Sequence, residues 1–253
     1  MKDNEIILKY LVGTFILTYL MWGTILVLNR YDYLKAGSIA FWIVYAIGGL
    51  SSTLFGAYLS KKSGNIANYR TLIIETFNVK QRIKYYVLIL VLFTVYFGIP
   101  LLLGIAETKT SWYYGLLLVF QMIFFGGLEE VGWRYTFQPT LERHMPFWLA
   151  SIITGFLWAL WHLPLFFIDG MNKGMDFGIF LLGVLSMSFM LGAIKRVSNS
   201  LWLCVLFHAM INAFSQVSSS EGNVSDALIS MCIIIVLTSA VVTLYNRSKV
   251  HIE

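Results

Sequence analysis

Charge is what this sequence has least of. Asp, Glu, Lys and Arg occupy 12% of its 253 positions and 58% are hydrophobic, where charge on roughly a quarter of positions is ordinary for a soluble domain. That balance excludes a water-dissolved fold. Cysteine is nearly absent: Cys204 and Cys232 lie in apolar stretches, show no metal-ligand spacing and read as small packing residues. No His-Glu-x-x-His occurs, so the usual helix-borne zinc pair is missing, and no Gly-x-Ser-x-Gly or Gly-x-Ser-Gly offers a familiar serine nucleophile. Asp169, Asp176 and Asp226 fall in expected loops, which argues against an intramembrane aspartyl dyad. With no internal repeat, low-complexity tract or flexible linker, residues 1–253 read as a single membrane-embedded domain.

What the chain does have is eight apolar stretches, at 10–29, 36–60, 85–106, 110–128, 145–168, 177–194, 197–220 and 227–246. Each approaches or exceeds the roughly 20 helical residues that cross a bilayer core. Barrel strands would alternate in polarity, and these stretches do not. The expected fold is all-α, a polytopic membrane bundle of about eight transmembrane helices in a multi-pass protein of the cell membrane. The first stretch is longer than a signal-peptide core and lacks a small-residue cleavage pattern, so it reads as a retained helix. A cytosolic N-terminus puts most Lys and Arg residues inside, among them Lys61, Lys62, Arg143, Lys195 and Arg196. Only Arg30, Lys35, Lys109 and Lys173 then lie outside. Both termini are therefore expected in the cytosol. The net charge of +5 reads as topology, with the lipid bilayer as partner and no nucleic acid. Between Lys61 and Lys84, the pattern Ile66, Tyr69, Leu72, Ile73, Phe77 predicts a helix lying along the headgroups. Pro100 and Pro164 are expected to kink their helices, and Gly126-Gly127 to admit a neighbouring backbone.

Against this background the polar residues inside the spans stand out, because a charge at the bilayer centre costs roughly 2.5 kcal/mol or more. Glu129, Glu130 and Arg134 interrupt the fourth span, His162 lies in the fifth, and His208 and Asn212 lie in the seventh. On a regular helix Glu130 and Arg134 are four apart and share a face, which predicts a structural ion pair. Glu129 points about 100° away, without a partner on its own helix, and is expected to face a cavity as a general base. His208 and Asn212 are four apart, as are Trp158 and His162. If spans four and five form a hairpin turning near His144, Glu129 and His162 stand at similar heights. His162 nevertheless counts to a depth of about 25 Å against about 16 Å for His208, and Pro139 is expected to push Gln138 out of helical geometry. Any one of these histidines alone would read as a hydrogen-bonded core residue. Together, Glu129, His162, His208 and Asn212 form a set able to activate water and stabilise an oxyanion.

The runs Glu129-Glu130-Val131-Gly132-Trp133-Arg134, Trp158-Ala159-Leu160-Trp161-His162-Leu163-Pro164 and Asn199-Ser200-Leu201 through His208-Ala209-Met210-Ile211-Asn212 resemble the three motifs of the CPBP family. That family comprises CaaX-processing endopeptidases and the bacteriocin-processing or bacteriocin-immunity proteins also called Abi proteins. The resemblance covers about 113–214, taken as the catalytic core, and departs from the pattern in having Trp158 where phenylalanine is commoner. It implies peptide-bond hydrolysis inside the membrane, with Glu129 and His162 activating water and His208 and Asn212 holding the oxyanion. Family members are often labelled metallopeptidases, and Glu129, His162 and His208 would supply three zinc ligands. No ligand pair has the familiar zinc spacing, so the expectation is no cofactor. The expected activity is an endopeptidase acting on a membrane-associated peptide, or on the leader or C-terminal region of a membrane-bound protein, reached from the membrane or cytosolic side. The alternative is a non-catalytic adaptor or immunity protein that keeps the fold. A proton-coupled transporter is disfavoured by the lack of an inverted repeat.

Overall fold

The computed structural model describes residues 1–173, 175–220 and 222–250. The apolar runs form long helices: α1 (Asp3–Arg30), α2 (Ile39–Gly49), α3 (Ser51–Lys62), α4 (Tyr69–Thr76), α5 (Ile83–Leu102), α6 (Tyr113–Phe124), α7 (Phe147–Trp161), α8 (Phe177–Ser198), α9 (Leu201–Ser215) and α10 (Val224–Val250). Short polar residues start several of them, since a side-chain oxygen can accept one of the backbone N–H groups that the first turn leaves unpaired. Ser38 accepts from the Phe41 amide, Asn68 from Thr71, Asp176 from Ile179 and Ser200 from Leu203. Asn199, in the left-handed conformation at φ 53°, ends α8.

Seven helical stretches among the described residues are long and apolar enough to cross a membrane: Asp3–Arg30, Ile39–Lys62, Ile83–Leu102, Tyr113–Leu141, Phe147–Phe167, Phe177–Ser198 and Val224–Ser248. The stretch at 197–220 gives α9, whose 15 residues span about 22 Å and which lies inside the bundle. Leu8, Val12, Ile16, Leu20 and Val27 on α1 and Leu116, Leu117 and Phe120 on α6 are exposed, as side chains facing lipid would be. Met190, Leu191, Ala193 and Ile194 of α8 and Leu203, Val205, Phe207 and Ala209 of α9 are fully buried. The chain is an all-α, multi-pass membrane protein.

Three details differ from expectation. Pro164 does not kink a helix. It lies in a 3-10 turn, Leu163–Phe167, because α7 ends at Trp161 and His162 forms the junction. Of the predicted headgroup helix, only Tyr69–Thr76 is helical. Ile66 and Leu72 pack against Val131, Leu201, Val205 and Ala209, while Tyr69, Ile73 and Phe77 remain exposed. Two three-residue strands, β1 (Ala106–Thr108) and β2 (Ser218–Ser220), pair antiparallel and tie the end of α5 to the end of α9. Their sequences carry no strand pattern long enough to read.

Candidate active site

The segment from Gly126 to Leu141 is not the regular helix its apolar flanks predict. Gly127–Glu129 is a 3-10 turn, Glu130–Gly132 a single α turn, Trp133–Phe137 a π-helix and Gln138–Leu141 α-helical again. Gly126 starts it at φ 143°, a conformation open in practice to glycine alone. Gln138 stays helical, at φ −59° and ψ −43°. The π-helix before it changes the hydrogen-bond register, so Pro139 is accommodated without the break expected of it.

Such a segment leaves backbone carbonyls without their usual partners, and in a membrane each must find another. Neighbouring hydroxyls provide them. Tyr10 and Ser52 hydroxyls bond at 2.7 Å, and Ser52 Oγ donates to the Glu129 carbonyl at 2.9 Å. Thr53 Oγ1 donates to the Leu128 carbonyl at 2.7 Å. Thr136 Oγ1 lies 3.1 Å from the carbonyls of both Gly56 and Val131. Close approach makes these bonds feasible: a Cβ on Gly132 would stand 2.2 Å from Ser52 Oγ, and one on Gly127 would stand 2.8 Å from the Val205 carbonyl. The backbone contact expected at Gly126-Gly127 is therefore made by α9.

Glu130 and Arg134 share a face as predicted. Arg134 Nε is 3.4 Å from Glu130 Oε2, with both side chains fully buried. Glu130 also accepts from His208 Nδ1 at 2.7 Å, a contact across 78 residues that no local spacing announces. Glu129 turns the other way and accepts from Trp158 Nε1 at 2.9 Å.

Trp158 gathers the motif residues. It is 2% exposed. Its ring centroid lies 5.2 Å from the His208 ring and 5.9 Å from the His162 ring, and the Arg134 guanidinium carbon sits 4.6 Å from it. Its carbonyl accepts from His162 Nδ1 at 2.9 Å. The depth difference between the two histidines is bridged in this way: Trp158 stands one helical turn before His162, and its indole reaches across to α9. Trp161 packs edge-on to His162 at 4.6 Å. Asn212 and His208 meet at Gly126, where a Cβ would lie 2.3 Å from Asn212 Nδ2 and 3.2 Å from His208 Nε2. All four predicted catalytic side chains thus stand around Trp158 and Gly126.

A cavity of about 180 Å³ opens beside them, lined by Trp22, Tyr45, Thr53, Phe125, Gly126 and Glu129 among others. Glu129 is the charged group in an otherwise apolar or hydroxyl-bearing lining. Among the described residues no three His, Cys, Asp or Glu side chains converge as a metal set would require. Glu129, His162 and His208 are not such a group.

Residues 110–214 match the model of the type II CAAX prenyl endopeptidase family, Rce1-like. The chain is also 25% identical, over 259 aligned positions, to the CAAX prenyl protease 2 of Methanococcus maripaludis, with 94% of this chain and 93% of that protein covered. Similarity over nearly the whole length, the segment match and the three motifs together support a CPBP-type peptidase, built into a multi-pass membrane bundle.

Proposed function

We propose that the chain is an endopeptidase that hydrolyses a peptide bond at the Glu129 cavity, with water as nucleophile and no metal. Glu129 is the general base. Its Oε2 is held by Trp158 and its second oxygen is left to take a proton from water. His162 uses its Nδ1–H on the Trp158 carbonyl, so its Nε2 is the nitrogen that orients the same water. The water oxygen bonds to the scissile carbonyl carbon. The negative charge that develops on the carbonyl oxygen is held by the Asn212 amide and by His208 Nε2. For His208 to donate from Nε2 while Nδ1–H is bonded to Glu130, the ring must carry both protons, and the Glu130 carboxylate stands as its counter-ion. Collapse of the tetrahedral intermediate breaks the C–N bond. The proton taken by Glu129 passes to the leaving amine.

The observation that carries this reading is a buried-side carboxylate, presented to an apolar cavity and fixed by an indole N–H, beside two imidazoles and an amide. The apolar lining suits a substrate that is itself lipid-associated, and the relative named a prenyl protease supports a lipid-modified peptide as the substrate class. The test compares protein termini in membranes of cells making the wild type and Glu129→Gln at equal abundance. Termini present only with the wild type are expected and would name the substrates. Identical termini, with the variant still supporting the host phenotype, would leave a non-catalytic adaptor.

A further inference from the structure

We infer that a second cavity, with Arg134 in its lining, binds a phosphate-class anion. It has a volume of about 290 Å³ and lies where the 138–142 turn meets the ends of α8 and α10, lined by Arg134, Gln138, Glu142, Lys195, Arg196 and Tyr245 among others. Three cations face one carboxylate there. Lys195 and Arg196 alone would be ordinary last-turn cations that complement the dipole of α8, so they do not by themselves define a site.

Arg134 does point to a ligand. Its side chain is fully buried, and Glu130 contacts it only through Nε, at 3.4 Å. Neither Nη1 nor Nη2 has a hydrogen-bond acceptor among the described residues. Trp158 covers one face of the guanidinium plane and uses none of its N–H groups. Buried guanidinium donors are left in this state only at a cost, and an anion that accepts from both terminal nitrogens removes it. Gln138 Oε1 is likewise buried without a donor, which fits a ligand carrying a hydroxyl beside its charged oxygens.

The rest of the wall is preorganised. Glu142 accepts from Arg196 Nη1 at 2.8 Å and from Gln138 Nε2 at 3.0 Å, which holds the guanidinium and amide in place. Lys195 Nζ donates to the carbonyl and side-chain oxygens of Asn199 at 3.1 and 3.0 Å, leaving one ammonium proton for a ligand. Gly192 gives Gln138 its room, since a Cβ there would stand 2.5 Å from Gln138 Nε2. A basic pocket between helix ends at the membrane surface is a setting that takes lipid headgroups. A phosphatidylglycerol headgroup offers both a phosphate and hydroxyls. Inorganic phosphate offers the same oxyanion from the aqueous side.

The full chain in neutral maltoside micelles is titrated with inorganic phosphate in one arm and phosphatidylglycerol in the other. Sodium chloride at matched ionic strength and phosphatidylcholine serve as controls, and the thermal unfolding midpoint is read. A rise of about 3 °C over the controls is expected. A rise with the lipid alone assigns a headgroup, and a rise with inorganic phosphate assigns a free anion. The double variant Lys195→Gln/Arg196→Gln should lose the rise. Glu142→Gln, which keeps a partner for Gln138 and removes the competing charge, should enlarge it. No rise beyond the controls, or the same rise in the double variant, overturns the site. Should the double variant fail to fold, a response in Glu142→Gln no larger than in the wild type overturns it as well.

Discussion

The segment 126–141, the second half of the Tyr113–Leu141 span, and helix α10 both belong to stretches long enough to cross a membrane, and they are built in opposite ways. α10 is an uninterrupted helix of 27 residues whose backbone polar groups satisfy one another, with Val236 and Leu244 turned outward. The segment 126–141 changes helix type three times, starts from a glycine at positive φ, and borrows hydroxyls from Ser52 and Thr53 for its carbonyls. Crossing a membrane requires only apolar continuity. A backbone that changes helix type leaves carbonyls without their usual partners, and that departure must be supported from outside the segment.

Substitutions grade this contrast. The largest expected effect is on chemistry: Glu129→Gln should lower peptide cleavage by about 10²–10⁴-fold, while its unfolding midpoint stays near that of the wild type. Glu130→Ala should reverse that pattern of damage. It strands a buried Arg134 and removes the partner of His208, so a stability loss of about 3–5 kcal/mol is expected, read by denaturant unfolding in micelles. Next comes Trp158→Phe, which keeps a ring for Arg134 and the histidines and deletes the donor to Glu129. An activity loss of about tenfold, with little change in stability, fits the removal of one hydrogen bond to a charged group. Equal activity would mean that Glu129 is positioned by its backbone alone. The smallest effect belongs to α10, where Val236→Ala should change stability by no more than about 0.5 kcal/mol. A larger loss there would show that Val236 packs against something besides lipid.

Much of the site was legible in advance because helical spacing reports faces. Glu130 with Arg134, and the opposite direction of Glu129, followed from one hundred degrees per residue. The close approach at Gly126-Gly127 followed from the missing side chains. What spacing could not report was contact between distant segments. The bond from His208 to Glu130 and the reach of Tyr10 and Ser52 to the Glu129 carbonyl depend on tertiary packing. Trp158 reads as a minor departure from a family pattern, yet among the described residues its N–H is the one group that holds Glu129 by the side chain. A donor at that position could have been flagged by asking what an indole adds to a phenyl ring. The π-helix was hidden for a different reason: Pro139 signals disruption, and the residue type does not say whether a break or a change of register will absorb it.

The hydroxyls of Tyr10 and Ser52 lie well outside residues 110–214, the part of the chain that matches the family model. Motif inheritance and mechanical dependence therefore follow different boundaries. A chimera that carried 110–214 into a foreign bundle would import every acid, base and amide of the site and still lack the brace under Glu129. Transplanting α1 and α3 with it would be the minimum that keeps the carboxylate aimed.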